Sequence, residues 1–157
     1  MQTPHWPGAV AIVLTLGWVG LVAVDTGHAT AALAARTARA LNVTDDAQLH
    51  LTTTSGSLLI EEGSATGQLP GTLKARFRFG ANVTASFTIY PRGGGSITGS
   101  GAATLHSSTT YSSFGGTVTI SSGTGRYKGA HGTAGLYGTY DRRTYALTVQ
   151  TTGTLRY

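Results

Sequence analysis

Apolar and polar side chains alternate with a period of two residues along most of the chain after residue 47. In residues 73–79 the two faces carry different chemistry, with Leu73, Ala75, Phe77 and Phe79 opposing Lys74, Arg76 and Arg78. This period of two predicts a strand with one buried face and one face in water. The same alternation recurs at 83–89 and, over its longest run, at 145–157.

Weaker strand patterns occur at five further places: 47–54, 57–62, 96–106, 114–121 and 130–140. Residues typical of turns separate the runs at the spacing of antiparallel all-β folds. Several glycines lie inside the strand runs, where glycine is unfavourable unless it relieves crowding at a bend: Gly99, Gly101, Gly132, Gly135 and Gly138. Such bends favour a closed barrel, which also removes exposed strand edges. We therefore predict an all-β fold, a single antiparallel β-barrel of about eight strands preceded by an N-terminal signal or anchor helix.

The sequence pattern of the 130–140 segment does not decide which of its two faces points inward. Leu136 and Tyr140 lie on one face and Tyr137 lies on the other.

The N-terminal segment contains a 17-residue run without charge, Gly8 to Val24, followed by the small-x-small triplet Ala29-Thr30-Ala31. This order predicts a signal peptide over 1–31, cleaved before Ala32. A retained membrane anchor is the main alternative, since 17 residues reach the lower limit for a spanning helix. The domain organisation is then 1–31 as leader, 32–46 as a linker or short helix and 47–157 as the barrel, in an extracytoplasmic location.

Composition excludes several kinds of site. The 157 residues include no cysteine, so disulfides, thiolate zinc sites and a cysteine nucleophile are absent. His50, His106 and His131 stand alone without metal-ligand spacing, and we predict neither a metal site nor a cofactor. No G-x-S-x-G turn and no phosphate-binding loop occurs, so catalytic residues stay unassigned.

The acidic residues have simple interpretations. Glu61 and Glu62 are adjacent, so in a strand they point to opposite faces and do not form a catalytic pair. One of them could face the interior with a raised pKa; solvated strand-end charges are the alternative. Asp141 lies in a hairpin turn, where aspartate binds the backbone.

The chain is basic, with 11 Lys and Arg against 6 Asp and Glu and a net charge of +5. Lys74, Arg76 and Arg78 form a stripe that could face an anionic polymer or simply water, and Arg142-Arg143 add charge at a turn. Phe77 and Phe79 point away from this stripe, which argues against specific nucleic-acid binding because sheet-based readers stack bases on aromatics of the basic face.

Residues 122–132, SGTGRYKGAHG, resemble the GGTG-x-[FY]-x-x-A-x-G stretch of the allene oxide cyclase/dirigent-type barrels, in particular small secreted bacterial relatives. The resemblance implies an eight-stranded antiparallel barrel with a central cavity and brings no catalytic set with it. The matched residues would have turn and packing roles: Gly123, Thr124, Gly125, Tyr127, Ala130 and Gly132. Gly123 and Gly125 would take positive φ, Tyr127 would plug a barrel end and Gly132 would allow close approach.

Three functions remain open at this point. The first is a non-catalytic binding or structural module that accepts a small hydrophobic ligand. The second, implied by the resemblance, is a cyclase or dirigent-like protein that guides a reactive intermediate. The third is a small outer-membrane barrel, suggested by the terminal Tyr157 on an alternating strand. The membrane is otherwise a partner only if the N-terminal segment is retained, and the oligomeric state is open.

Overall fold

The computed structural model describes residues 39–157, which form a closed barrel of eight antiparallel strands joined in chain order, with β8 pairing back to β1. The strands are β1 Ala40–Ser55, β2 Leu58–Gly67, β3 Gly71–Phe79, β4 Asn82–Pro91, β5 Ser96–Ser108, β6 Tyr111–Thr124, β7 His131–Asp141 and β8 Leu147–Arg156. The prediction of a single eight-stranded antiparallel barrel is confirmed.

The alternation of side chains closes the barrel around an apolar interior. Leu73, Phe77 and Val149 are all less than 10% exposed, whereas Lys74, Arg76 and Arg78 lie on the outside. The inward side chains of the strands therefore form the apolar interior, as the period of two predicts.

The first strand begins earlier than its sequence pattern indicates. Residues 40–46, which we expected in a linker or short helix, are the first part of β1 and pair with β8 from Ala40 onward. Val43, Asp45 and Ala47 all face inward there. The aspartate on the inner face interrupts the apolar alternation and hides this part of the strand from sequence reasoning.

The structure also shows which face of β7 points to the interior. Leu136 and Tyr140 point inward, and Tyr137 is 49% exposed on the outside. The inward row of β8 continues as predicted through Leu147, Val149 and Leu155. Tyr145, by contrast, precedes β8 and lies in the connection from β7.

The barrel has two ends with different closures. At the proximal end β1 begins and β8 ends, and the connections 68–70, 92–95 and 125–130 cross it. At the distal end lie the connections 56–57, 80–81, 109–110 and 142–146. Two groups of packed apolar side chains fill the interior, one including Leu69, Ile97, Tyr127 and Leu155 and the other including Leu49, Phe77, Phe114, Tyr140 and Leu147.

The helical content of residues 39–157 is a single 3-10 turn, Gly125–Tyr127, and no helix in this part of the chain is long and apolar enough to cross a membrane. The predicted leader over 1–31 lies outside the described residues.

Candidate functional site

The barrel interior contains a cavity of about 90 Å³. Its wall combines larger apolar side chains, such as Phe77, Phe87 and Leu136, with residues that have little or no side chain: Ala47, Ala65, Ala75, Ala85, Gly101 and Ala134. Eight-stranded barrels are just wide enough for side chains to fill the interior or for one small ligand to fit. Here the small residues leave the space open, and its surface is almost wholly apolar.

Asp45 is the one ionisable residue that lines this cavity. It is 7% exposed, and its Oδ1 accepts a hydrogen bond of 3.0 Å from the backbone N–H of Leu69. Burial raises the pKa of Asp45, while hydrogen bonds from the Leu69 and Gln68 backbone oppose that rise. Asp45 thus joins β1 to the connection between β2 and β3 and gives the cavity a polar edge. Sequence reasoning missed this position because nothing marked residue 45 as part of a strand.

The Glu61–Glu62 pair splits between the two faces of β2, as the sequence predicts. Glu62 points outward, and its Oε1 accepts a hydrogen bond of 2.8 Å from Lys74 Nζ in an ion pair with both side chains partly exposed. Glu61 points inward, has no exposed surface, and neither of its carboxyl oxygens has a hydrogen-bond partner. Burial raises the pKa of Glu61 to about 7. An isolated carboxyl of this kind is a common feature of functional sites.

Aromatic rings close the distal end above Glu61. Phe79 stacks on Tyr140 with ring centroids 4.6 Å apart and meets Phe114 edge-on at 6.2 Å. Burial raises the pKa of Tyr140 to about 12, and the negative charge of Glu61 adds to that rise. Glu61 and Tyr140 therefore interact electrostatically at this end of the interior.

The segment 122–132 closes the proximal end. Tyr127 is 1% exposed, and its ring centroid lies 4.9 Å from that of Tyr157, at the barrel end where the sequence leads us to expect a plug. Gly125 has a φ of +60°, as expected. The expectation of positive φ at Gly123 is wrong: a Cβ there would overlap the Tyr127 carbonyl oxygen, so the residue is constrained by space.

The remaining matched residues take packing positions. Ala130 is 1% exposed, and a Cβ at Gly132 would overlap the carbonyl oxygen of Thr154, as the expected close approach requires. Thr124 is the last residue of β6, and its hydroxyl lies 2.8 Å from that of Ser96.

The basic stripe is on the outer surface. Lys74, Arg76 and Arg78 lie on the exposed face of β3, and Phe77 and Phe79 point inward as predicted. The structure adds an aromatic side chain that sequence reasoning missed: Tyr90 of β4 is 45% exposed on the same outer face. Because Lys74 is paired with Glu62, the stripe carries less free positive charge than the sequence suggests.

The other polar residues have local roles. Asp141 Oδ1 accepts a hydrogen bond of 2.8 Å from the Arg143 backbone N–H, the turn role predicted for it. Arg142 Nε donates to Ser112 Oγ over 3.0 Å, so this arginine holds the connection 142–146 against β6. Across residues 39–157 no group of three or more His, Cys, Asp or Glu side chains could hold a metal ion.

Comparisons of the chain with known protein families, with characterised proteins and with solved structures find no match. The geometry of the interior therefore carries the functional argument alone.

Proposed function

We propose that this protein is an exported, non-catalytic β-barrel binding module whose interior accepts a small hydrophobic molecule. The observation that carries the proposal is the cavity of about 90 Å³ with an apolar wall inside a closed barrel. An apolar cavity of roughly 150 Å³ in a protein core stays free of water and takes up benzene or xenon. A cavity of the present size suits xenon or a small hydrocarbon.

The outer surface of the barrel supports the same interpretation. An outer-membrane barrel carries an apolar band on its exterior and polar groups inside. In this barrel the outward residues of β8 are polar: Thr148, Gln150, Thr152, Thr154 and Arg156. The apolar side chains are directed to the interior, where a hydrophobic ligand would be bound.

A cyclase or dirigent-like activity has less support. Guiding a reactive intermediate requires a pocket of several hundred Å³ with polar groups converging on the substrate. The cavity is smaller, and Asp45 is the single carboxyl in its wall. The resemblance of residues 122–132 to that superfamily concerns positions that close the barrel end, and these are compatible with binding alone.

The test of the proposal is to fill the cavity. Xenon or pentane should raise the melting temperature of the protein, because a ligand that binds the folded state alone stabilises it. Ala85→Leu and Ala134→Val each add volume at the cavity wall and should abolish this effect. Ala102→Leu adds the same volume as Ala85→Leu on the exposed outer face of β5 and should leave the effect unchanged.

The opposite results would exclude the cavity as a binding site. Stabilisation by xenon and pentane that persists in both filled variants, or no stabilisation of the unmodified protein, contradicts the proposal. Export has a separate measurement: N-terminal sequencing of protein recovered outside the cytoplasm should begin near Ala32, and full-length material held in the membrane would instead indicate a retained anchor.

A further inference from the structure

The outside of the barrel carries an open groove of about 470 Å³ that runs over β2 to β5, on the opposite side of the sheet from the interior cavity. This volume lies in the range of small-molecule sites, about 300–1,000 Å³. Tyr90, 45% exposed, and Arg76 both line the groove. Arg76 pairs laterally with Ser86, and Thr88 lies between Ser86 and Tyr90 on the same face of β4. Thr98 of β5 pairs with Thr88, so the groove brings together an aromatic ring, a guanidinium and several hydroxyl groups.

The ion pair between Glu62 and Lys74 sets the free charge of this outer groove. Lys74 lies between Glu62 of β2 and Thr88 of β4, and its Nζ is 2.8 Å from Glu62 Oε1. The lysine side chain is therefore directed toward β2 and away from the hydroxyl groups of β4. Because this is the one ion pair found in residues 39–157, Arg76 is left without an acidic partner. The charged groups of the groove thus leave one positive charge uncompensated, that of Arg76.

This arrangement indicates the chemistry of a ligand. One guanidinium matches one carboxylate, which it can bind through two parallel N–H···O bonds. Threonine and serine hydroxyls both donate and accept hydrogen bonds, and a tyrosine ring offers an apolar face with a polar tip. A sugar acid has the complementary pattern, because its ring has an apolar C–H face, hydroxyl groups at its edge and a single carboxylate. A nucleic-acid strand would instead require several free cations and several stacking rings, and the groove offers one free cation and one exposed ring.

We propose that the outer groove binds a hexuronic acid unit of an acidic polysaccharide. The C–H face of the sugar packs on the ring of Tyr90, its hydroxyl groups bond to Thr88 and Thr98, and its carboxylate pairs with Arg76. Tyr90 and Ser86, the residue opposite Arg76, are roughly 13 Å apart along β4, a span that a short saccharide fills. The site lies outside the barrel, so its test is independent of the test of the proposed function.

The experiment compares methyl glucuronide with methyl glucoside, two sugars that differ only in carrying a carboxylate or a hydroxymethyl group. NMR titration of the full chain at low salt should show about fivefold tighter binding of the glucuronide, the upper end for an exposed ion pair. Raising the salt concentration should weaken the glucuronide alone, because salt screens exposed charges. The amide signals that shift should be those of β3, β4 and β5 beside the groove.

Two pairs of variants test the contacts. Arg76→Gln should abolish the preference for the glucuronide, whereas Arg78→Gln, the same change of charge at the next outward position of β3 and outside the groove lining, should keep it. Tyr90→Ala should weaken both sugars by about fivefold, since both present the same C–H face to the ring. Tyr137→Ala removes a ring that is 49% exposed on β7 and should leave both affinities unchanged.

Several results would overturn the inference. These are the absence of binding of both sugars, equal binding of the two by the unmodified protein, and signal shifts away from the groove. An equal loss in Arg76→Gln and Arg78→Gln would show a general attraction of the basic stripe for anions and no uronic acid site. Oligothymidylate that binds more tightly than the glucuronide and requires both arginines would show a surface for single-stranded nucleic acid instead.

Discussion

At the scale of single residues, the interior holds two carboxyl groups in different circumstances. Asp45 and Glu61 are both buried, and burial raises the pKa of each. The carboxyl of Asp45 accepts a hydrogen bond from the backbone of the 68–70 connection, which offsets the cost of its burial. Neither carboxyl oxygen of Glu61 has a hydrogen-bond partner. Asp45 therefore has a structural role that explains its position, and Glu61 does not.

The role of Asp45 can be tested by two substitutions. Asp45→Ala removes the acceptor for the buried Leu69 N–H and should lower the free energy of unfolding by roughly 1–3 kcal/mol. Asp45→Asn keeps a carbonyl oxygen in the same place and loses the charge, so it should change the free energy of unfolding by less than about 1 kcal/mol. Urea denaturation of the two variants measures both values, and equal effects would show that the hydrogen bond is not what Asp45 contributes.

Single residues also show how far the sequence can predict the site. The adjacency of Glu61 and Glu62 in a strand requires that one of them face inward, and the structure confirms this. Which of the two is buried follows from the pairing of β2 with β1 and β3, and that register depends on a β-bulge between Leu51 and Thr53. A local pattern does not contain this information.

At the scale of elements, the connection between β6 and β7 closes one end of the barrel. Its 3-10 turn places Tyr127 at the proximal end of the barrel interior, where the ring packs with Leu69, Ile97 and Leu155. The guanidinium of Arg126 lies 4.8 Å from the centre of the Tyr127 ring and donates a hydrogen bond of 2.6 Å to its hydroxyl. This connection therefore acts as a plug for the proximal end of the barrel.

Removal of the plug should be costly. Tyr127→Ala leaves a cavity at the proximal end and should lower the free energy of unfolding by about 3–5 kcal/mol, as for other large buried aromatics. Tyr137→Ala removes the same side chain from a position 49% exposed on the outside of β7 and should change the free energy by less than about 1 kcal/mol. Thermal or urea unfolding of the two variants measures both free energies of unfolding. Similar losses for the two variants would contradict the assignment of Tyr127 as the plug.

Elements were predictable where large apolar residues mark most of the inward row and no charged residue lies in it. The strand at 73–79 and the inward face of β8 agree with the sequence because residues such as Leu73, Phe77 and Val149 show which face is buried. The early part of β1 was missed because Asp45 lies in that row, and the face of β7 was undecided because aromatic side chains occur on both sides. Burial of a polar residue, or exposure of an apolar one, depends on neighbours in other strands.

At the scale of the whole molecule, closure of the barrel makes the interior a single environment of low polarity. The cavity exists because alanine and glycine occupy inward positions on several strands and line the same space, including Ala65, Ala75, Ala85, Gly101 and Ala134. Each of these residues is unremarkable in its own strand. Only the strand order and register bring them together, so the residues that form the cavity wall could not be predicted from the pattern of any one strand.

The pH dependence of stability is a property of this closed interior. The folded-state pKa of Glu61, about 7, lies above its ordinary value of 4.5, so between these values the folded protein holds a proton that the unfolded chain has lost. The free energy of unfolding should therefore fall by roughly 3 kcal/mol as the pH rises from about 4.5 to about 7. Above about pH 7 Glu61 should cause little further change. Asp45, whose pKa is also raised, acts in the same direction at lower pH.

Two substitutions isolate the contribution of Glu61. In Glu61→Gln the fall in stability between about pH 5 and about pH 8 should disappear, and at about pH 8 the variant should be more stable than the unmodified protein because no charge has to be buried. In Glu62→Gln, which changes the exposed partner of Lys74, the fall should remain. Urea denaturation at a series of pH values gives these curves.

Asp141 acts in the opposite sense, since the Arg143 backbone hydrogen bond lowers its pKa and its contribution to stability is lost only as the pH falls through that lowered pKa. A decline toward high pH that survives in Glu61→Gln would therefore have to come from another buried group, and the unpaired carboxyl would not be the titrating site of the interior.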